Sequence, residues 1–184
     1  EGVEAIRQAK QQGLKITCDV SIHHLIYTDD NVLSYDSNYK LDPPLRSITD
    51  QQALIEGLLD DTIDCIASYH IPQDTESKEL EFDLADDGMI SLQTVIPQLM
   101  KLTNQVALDK LIDKFSNAPR RVLGLPIVDV SVGSASRFTV IDQELKWTLD
   151  ASTNCSKSRN TALMGEELSG KATALVIGDD FISL

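Results

Sequence analysis

The chain has 184 residues, 42% of them hydrophobic and 24% charged, with Lys+Arg 16 against Asp+Glu 29 and a formal net charge of -13. That is enough apolar material for a packed core in one domain or slightly more, and no apolar run approaches the roughly 20 residues of a membrane-spanning helix. The acidic balance speaks against nucleic acid as the main partner, because phosphate binding needs a positive patch, and against adhesion to an acidic membrane.

In chain order, residues 2–13 predict a helix with Val3, Ile6, Ala9 and Lys10 on one face and Gly13 as its terminator. No signal-peptide pattern opens it. Residues 14–20 read as a β-branched strand, and residues 50–59 as a helix capped by Thr49 or Asp50. A short apolar strand is expected at residues 63–68, and a polar, acidic loop at 72–88. Helical patterns resume near 91–103 and 105–115, the second ending before Pro119. This alternation is the rhythm of an α/β fold with parallel strands.

After Gly124 the texture changes to short strand candidates at 128–132, 137–142, 146–149 and 172–177, separated by Gly, Ser, Asn and Asp. Two regions are therefore expected: 1–122, α/β, and 123–184, a β-rich appended segment. Parallel strands bury both faces and need several neighbours. With only two clear strand–helix units, the first region reads as part of a larger barrel or sheet. Cys18, Cys65 and Cys155 are far apart and odd in number, so neither a disulfide framework nor a close-spaced zinc site is expected, and a reducing, cytoplasmic compartment is.

Candidate chemistry collects just after the strands, where parallel barrels place their ligands. His23 and His24 follow the first strand, as metal ligands or acid–base groups, or simply as capping and packing residues. Tyr69 and His70 follow the second strand, again as catalytic groups or as space-filling ones. Residues 38–47 join a rigid Pro43-Pro44 pair to Lys40, Asp42 and Arg46, a surface loop or an anion-presenting one. Glu76, Glu79, Glu81, Asp83, Asp86 and Asp87 match no calcium loop and read as a solvated face or mobile lid.

Several runs together resemble the carboxyl-terminal half of the dihydroorotases of the amidohydrolase superfamily. They include Asp19-Val20-Ser21-Ile22-His23-His24-Leu25, the Tyr35–Ser47 stretch with Pro43-Pro44-Leu45-Arg46-Ser47, Thr62–Ser68, Asn117–Leu125 and Ser156-Lys157-Ser158-Arg159-Asn160-Thr161, in family order. The resemblance implies the carboxyl-terminal part of a (β/α)8 barrel plus an appended β segment. It also implies zinc-activated water attacking a cyclic amide, interconverting dihydroorotate and carbamoyl aspartate in pyrimidine biosynthesis.

Position by position, the resemblance carries over unevenly. His23 matches a zinc-binding histidine. Tyr69 stands where the family has an aspartate that binds metal and acts as base, so no catalytic residue is carried over. Gln73 stands for a histidine that contacts the substrate carboxylate, and Asp42 for an asparagine that bonds the substrate ring. Ile22 replaces a proline, and the glycine-rich substrate loop is reduced to Asp87-Gly88-Met89-Ile90-Ser91. The family's remaining zinc ligands would precede Glu1, so these residues alone do not assemble a metal site. The expectation is a degenerate homologue acting as a structural partner of aspartate transcarbamoylase, the alternative an active zinc-dependent cyclic amidohydrolase. The amino-terminal half of the barrel and a second copy of the chain are the other expected partners.

Overall fold

In the computed structural model, which describes residues Glu1–Leu184, two strands form the centre of the first region. These are β1 (Asp19–Ser21) and β2 (Cys65–Ala67), paired in parallel with Asp19 opposite Cys65 and Ser21 opposite Ala67. Both are shorter than the sequence suggests. Residues 14–18 have apolar character but find no strand partner, and a strand is defined by its neighbour's hydrogen bonds rather than by β-branched residues alone.

The helices surround this pair. α1 (Gly2–Gln11) precedes β1, α2 (Ile22–Ile26) continues directly from it, and α3 (Ile48–Leu59) leads to β2. The α3 cap is Ser47, whose Oγ accepts the Asp50 N–H at 3.3 Å; Thr49 and Asp50, the expected caps, lie inside the first turn. After β2 come α4 (Thr75–Lys78) within the acidic loop, a 3-10 turn at Leu92–Thr94 and α5 (Val95–Lys101). α6 (Leu108–Ile112) runs through a π-helical turn at Asp113–Asn117 into α7 (Ala118–Val122). The helix therefore does not stop before Pro119. Pro119 falls in the first turn of α7, where a missing N–H removes little.

The main core joins Val20 and Ile66 of the strands to Ile22 and Leu25 of α2, Ile55 and Leu58 of α3, Val95 and Leu99 of α5 and Leu111 of α6. Burial of each such side chain contributes about 1.5–3 kcal/mol, so the strand pair is held chiefly by its helical cover. α1 buries no residue fully. Val3 packs partly buried against the core, and two ion pairs add to the attachment, Arg7–Asp60 at 2.8 Å and Lys10–Asp64 at 2.8 Å.

The second region is an antiparallel sheet of β3 (Arg137–Thr148), β4 (Glu167–Ile177) and β5 (Asp180–Ser183), in that order. β3 merges two expected strands. The break between them is a bulge, where the Asp142 carboxylate accepts the N–H groups of Glu144 (2.9 Å) and Leu145 (3.1 Å) and shifts the register. Residues 128–132, expected as a strand, are exposed and irregular, and β5 was not expected. The sheet meets the α/β region through α5. Gly170 of β4, at φ +95°, lies so close that a Cβ there would sit 2.8 Å from Met100 Cγ. No helix is long and apolar enough to cross a membrane.

Candidate functional site

β1 ends at Ser21, whose Oγ accepts the His23 N–H at 3.2 Å and starts α2. This cap sets both histidines in the first turn of a helix at the carboxyl end of a parallel strand, and there they diverge. His24 turns outward. Its Nε2–H donates to Pro43 O at 3.0 Å, with Pro44 O at 3.3 Å, so it tethers the Pro-Pro loop. His23 turns inward to 1% exposure and stacks on Tyr27, with ring centroids 6.5 Å apart. Both of its ring nitrogens are buried, and the backbone of Tyr69 and Met89 lies near them without reaching good hydrogen-bond geometry. Desolvation pushes this imidazole down to about 4, against a smaller upward pull from the backbone of Tyr69 and Met89. At neutral pH His23 is uncharged.

Tyr69 lies two residues beyond β2 at φ +47°, a left-handed conformation that costs a side-chain-bearing residue on the order of 1–3 kcal/mol. Strain of this kind persists only where the surroundings impose it. The side chain opens on a cavity of about 400 Å³ shared with Asp19, Ser21, His24 and Arg46. Burial, and then the charge of Asp19, hold the phenol above its ordinary value. It is a protonated group at neutral pH, able to donate but not to act as a base. Asp19 is the residue that sequence reasoning passed over. Its signal was its place at the start of β1, directly across from β2.

The other expected site residues lie elsewhere. Asp42 is exposed on a cavity of about 510 Å³ with Tyr35, Tyr39 and Phe82. Gln73 lines a polar cavity of about 360 Å³ with Asp36, Asp74 and Arg159. Its amide Nε2–H is already engaged by Asp87 O at 2.8 Å, and its backbone N–H by Asn160 Oδ1 at 3.2 Å. Tyr69, Asp42 and Gln73 thus open on three separate cavities, while the His23 ring packs in the interior.

His70 is a capping residue. Its Nδ1 accepts the N–H groups of Ser91 (3.0 Å) and Leu92 (3.2 Å), closing the turn that leads into α5, and burial lowers its pKa. The acidic loop is held rather than free. Lys78, 7% exposed, donates to Ser37 O, Asp86 O and Gly88 O at 2.6, 2.7 and 3.2 Å, and Lys40 donates to Asp83 O and Ala85 O. Asn160 Nδ2 adds bonds to Ile71 O and Gly88 O. The carboxylates of this loop face solvent while lysines grip its backbone.

A zinc site needs three or four converging ligands. His23 has the right chemistry, a neutral imidazole with free ring nitrogens, yet no three His, Cys, Asp or Glu side chains come together. These 184 residues by themselves do not fit a metal.

No protein-family model matches the chain. In fold it is similar to cyclic amidohydrolases: to the L-hydantoinase (dihydropyrimidinase) of Arthrobacter aurescens, with TM-score 0.87 and 24% identity over 98% of this chain and 42% of that one. It is also similar to the inactive dihydroorotase-like domain of the Chaetomium thermophilum CAD-like multifunctional protein, with TM-score 0.69 and 18% identity over 97% of this chain and 47% of that one. The chain thus has the fold of a segment of an α/β cyclic-amidohydrolase structure. By sequence it is a dihydroorotase homologue, 38% identical over 182 residues to the Trichlorobacter lovleyi dihydroorotase and 41% over 171 residues to that of Aquifex aeolicus. These matches take up 98% and 92% of this chain but 43% and 40% of the relatives, so it spans less than half of their length.

Proposed function

We propose that the chain is the carboxyl-terminal portion of a dihydroorotase-like protein of pyrimidine biosynthesis that no longer hydrolyses a cyclic amide and serves as a structural partner of aspartate transcarbamoylase. Residues 1–122 form its barrel portion and 123–184 its appended β segment. The observation that carries this reading is Tyr69. Hydrolysis of a cyclic amide needs a group that takes a proton from water and returns it to the leaving nitrogen. At this position stands a phenol, held protonated by burial and by Asp19.

Substrate recognition is weakened in the same direction. The Gln73 amide is spent on the Asp87 carbonyl, and Gln73 and Asp42 open on cavities separate from that of Tyr69. The dihydroorotase-like domain from Chaetomium thermophilum, described as inactive, is a precedent of the same fold within a multifunctional protein. The free edges of β1 and β2 suit completion by an amino-terminal half of the barrel, and a cytoplasmic setting fits the three unpaired cysteines.

The second reading is an active zinc-dependent cyclic amidohydrolase. It draws on His23, a neutral imidazole with a ring nitrogen free to coordinate. The whole protein, assayed with added zinc for dihydroorotate and carbamoyl aspartate interconversion, separates the two. No turnover is expected, with Tyr69→Asp gaining activity or leaving it at zero. Robust turnover that Tyr69→Asp or Tyr69→Phe abolishes would overturn the structural reading. Co-elution with aspartate transcarbamoylase tests the partner.

A further inference from the structure

A cavity of about 770 Å³ lies between the α/β region and the appended sheet, apart from Tyr69, Asp42 and Gln73. One wall is the turn into α5, with Ile90, Leu92 and Ile96. The facing wall is Leu149 and Ala172, from the end of β3 and the middle of β4. Its size is that of a small-molecule site, and its walls belong to two packed bodies rather than to one loop.

The polar side chains around it are mostly satisfied by the protein. Gln93 Nε2–H donates to Thr153 O at 2.6 Å, and its Oε1 accepts the Cys155 N–H at 2.8 Å. Asn154 donates to Ser158 O and accepts from Ser156 N–H. Ser91 donates to Ser68 O, and Thr153 to Thr148 O. Two groups remain. Because Nδ1 of His70 accepts two backbone N–H groups, the neutral ring carries its proton on Nε2, which is left as a donor. The Lys171 ammonium has no carboxylate partner and rests 5.4 Å from the centre of the Trp147 ring. In a chain with 29 Asp and Glu residues, not one lines this space. Free donors, a cation, apolar walls and no acidic side chain define one ligand chemistry.

We propose that this cavity binds a small organic anion, a carboxylate on an apolar body, with Lys171 facing the charge and the Ile90, Ile96 and Leu149 side chains covering the body. Nothing in this site involves Tyr69, Asp42 or Gln73, so it stands or falls apart from the reading above. Phenylacetate and its neutral counterpart phenylacetamide, titrated calorimetrically into the whole protein, test it. Phenylacetate is expected to bind at least tenfold more tightly, and Lys171→Met to bring the two to equal affinity. Ala172→Phe is expected to abolish both. Should that variant fail to fold, wild-type Cys155, the exposed thiol at the rim, reports instead: phenylacetate slows its alkylation by N-ethylmaleimide severalfold. Equal affinities in the wild type, a preference that survives Lys171→Met, or alkylation indifferent to the ligand would overturn the proposal.

Discussion

The two ends of the β1–β2 pair are built on opposite electrostatic plans. At the amino end, charges are matched. Arg7 meets Asp60, Lys10 meets Asp64, and Lys110 and Lys114 both meet Asp61, at 3.2 and 2.8 Å. At the carboxyl end they are not. His23 is buried with two unpartnered nitrogens, Tyr69 is held at a positive φ beside Asp19, and a loop of exposed carboxylates is carried on lysines that bind its backbone instead of its charges. The difference separates an end whose charges are paired from one that leaves buried groups unsatisfied, as a ligand-handling face of a parallel α/β structure does. Backbone strain is common to both, since Asp61 at the amino end is also left-handed, at φ +64°.

The largest expected effect at the carboxyl end comes from Lys78→Met. It leaves three carbonyls in a buried pocket without their donor and should lower stability by about 3 kcal/mol. Limited proteolysis should then cut first within residues 74–88; unchanged protection there would mean that the loop is held by its own packing.

Acid distinguishes the two ends. His23 has a folded value of about 4 against 6.5 for the free imidazole, so the unfolded chain binds the proton more readily. The associated stability is complete above pH 6.5 and is lost as pH falls towards 4, by roughly 3 kcal/mol at most. His70, lowered by burial, adds in the same direction. At the amino end, Asp61 is held below its ordinary 3.8, first by Lys114 and then by Lys110, so its contribution persists to that pH and is lost only beneath it. Denaturant melts should show a descending step between pH 6.5 and 4 that His23→Phe reduces to the smaller His70 part.

Lys114→Met breaks the amino end. Lys114, 5% exposed, donates to Ile63 O at 2.6 Å, and losing that bond should cost about 2 kcal/mol. The Asp61 pair adds little, since that carboxylate is 71% exposed. Ser47→Ala, at the α3 cap on the carboxyl side, should cost only about 1 kcal/mol by thermal melt. If Ser47→Ala cost more than Lys114→Met, the contrast drawn between the two ends would be wrong.

Much of the organisation was legible in residue order. The 3.6-residue period of α1 and α3, the change of texture after Gly124 and the family-like runs around His23, Pro43-Pro44 and Asn160 depend on local pattern, which a sequence displays directly. Strand length was less legible, because residues 14–18 lack a neighbour and the 137–149 stretch is one strand interrupted by the Asp142 bulge. Pro119 misled because a proline can begin a helical turn as readily as end one.

By itself the sequence determined the alternation of elements, the acidic surface and the identity of the side chain after β2, a phenol where the dihydroorotase resemblance implies a carboxylate. Only the tertiary structure decided that His23 turns inward and His24 outward, that Asp19 stands beside Tyr69, and that Asp42 and Gln73 open on other cavities. The reason is physical. Composition and period act along the chain, whereas burial, charge and the direction of a side chain depend on neighbours that are 20 to 90 residues away until the chain folds.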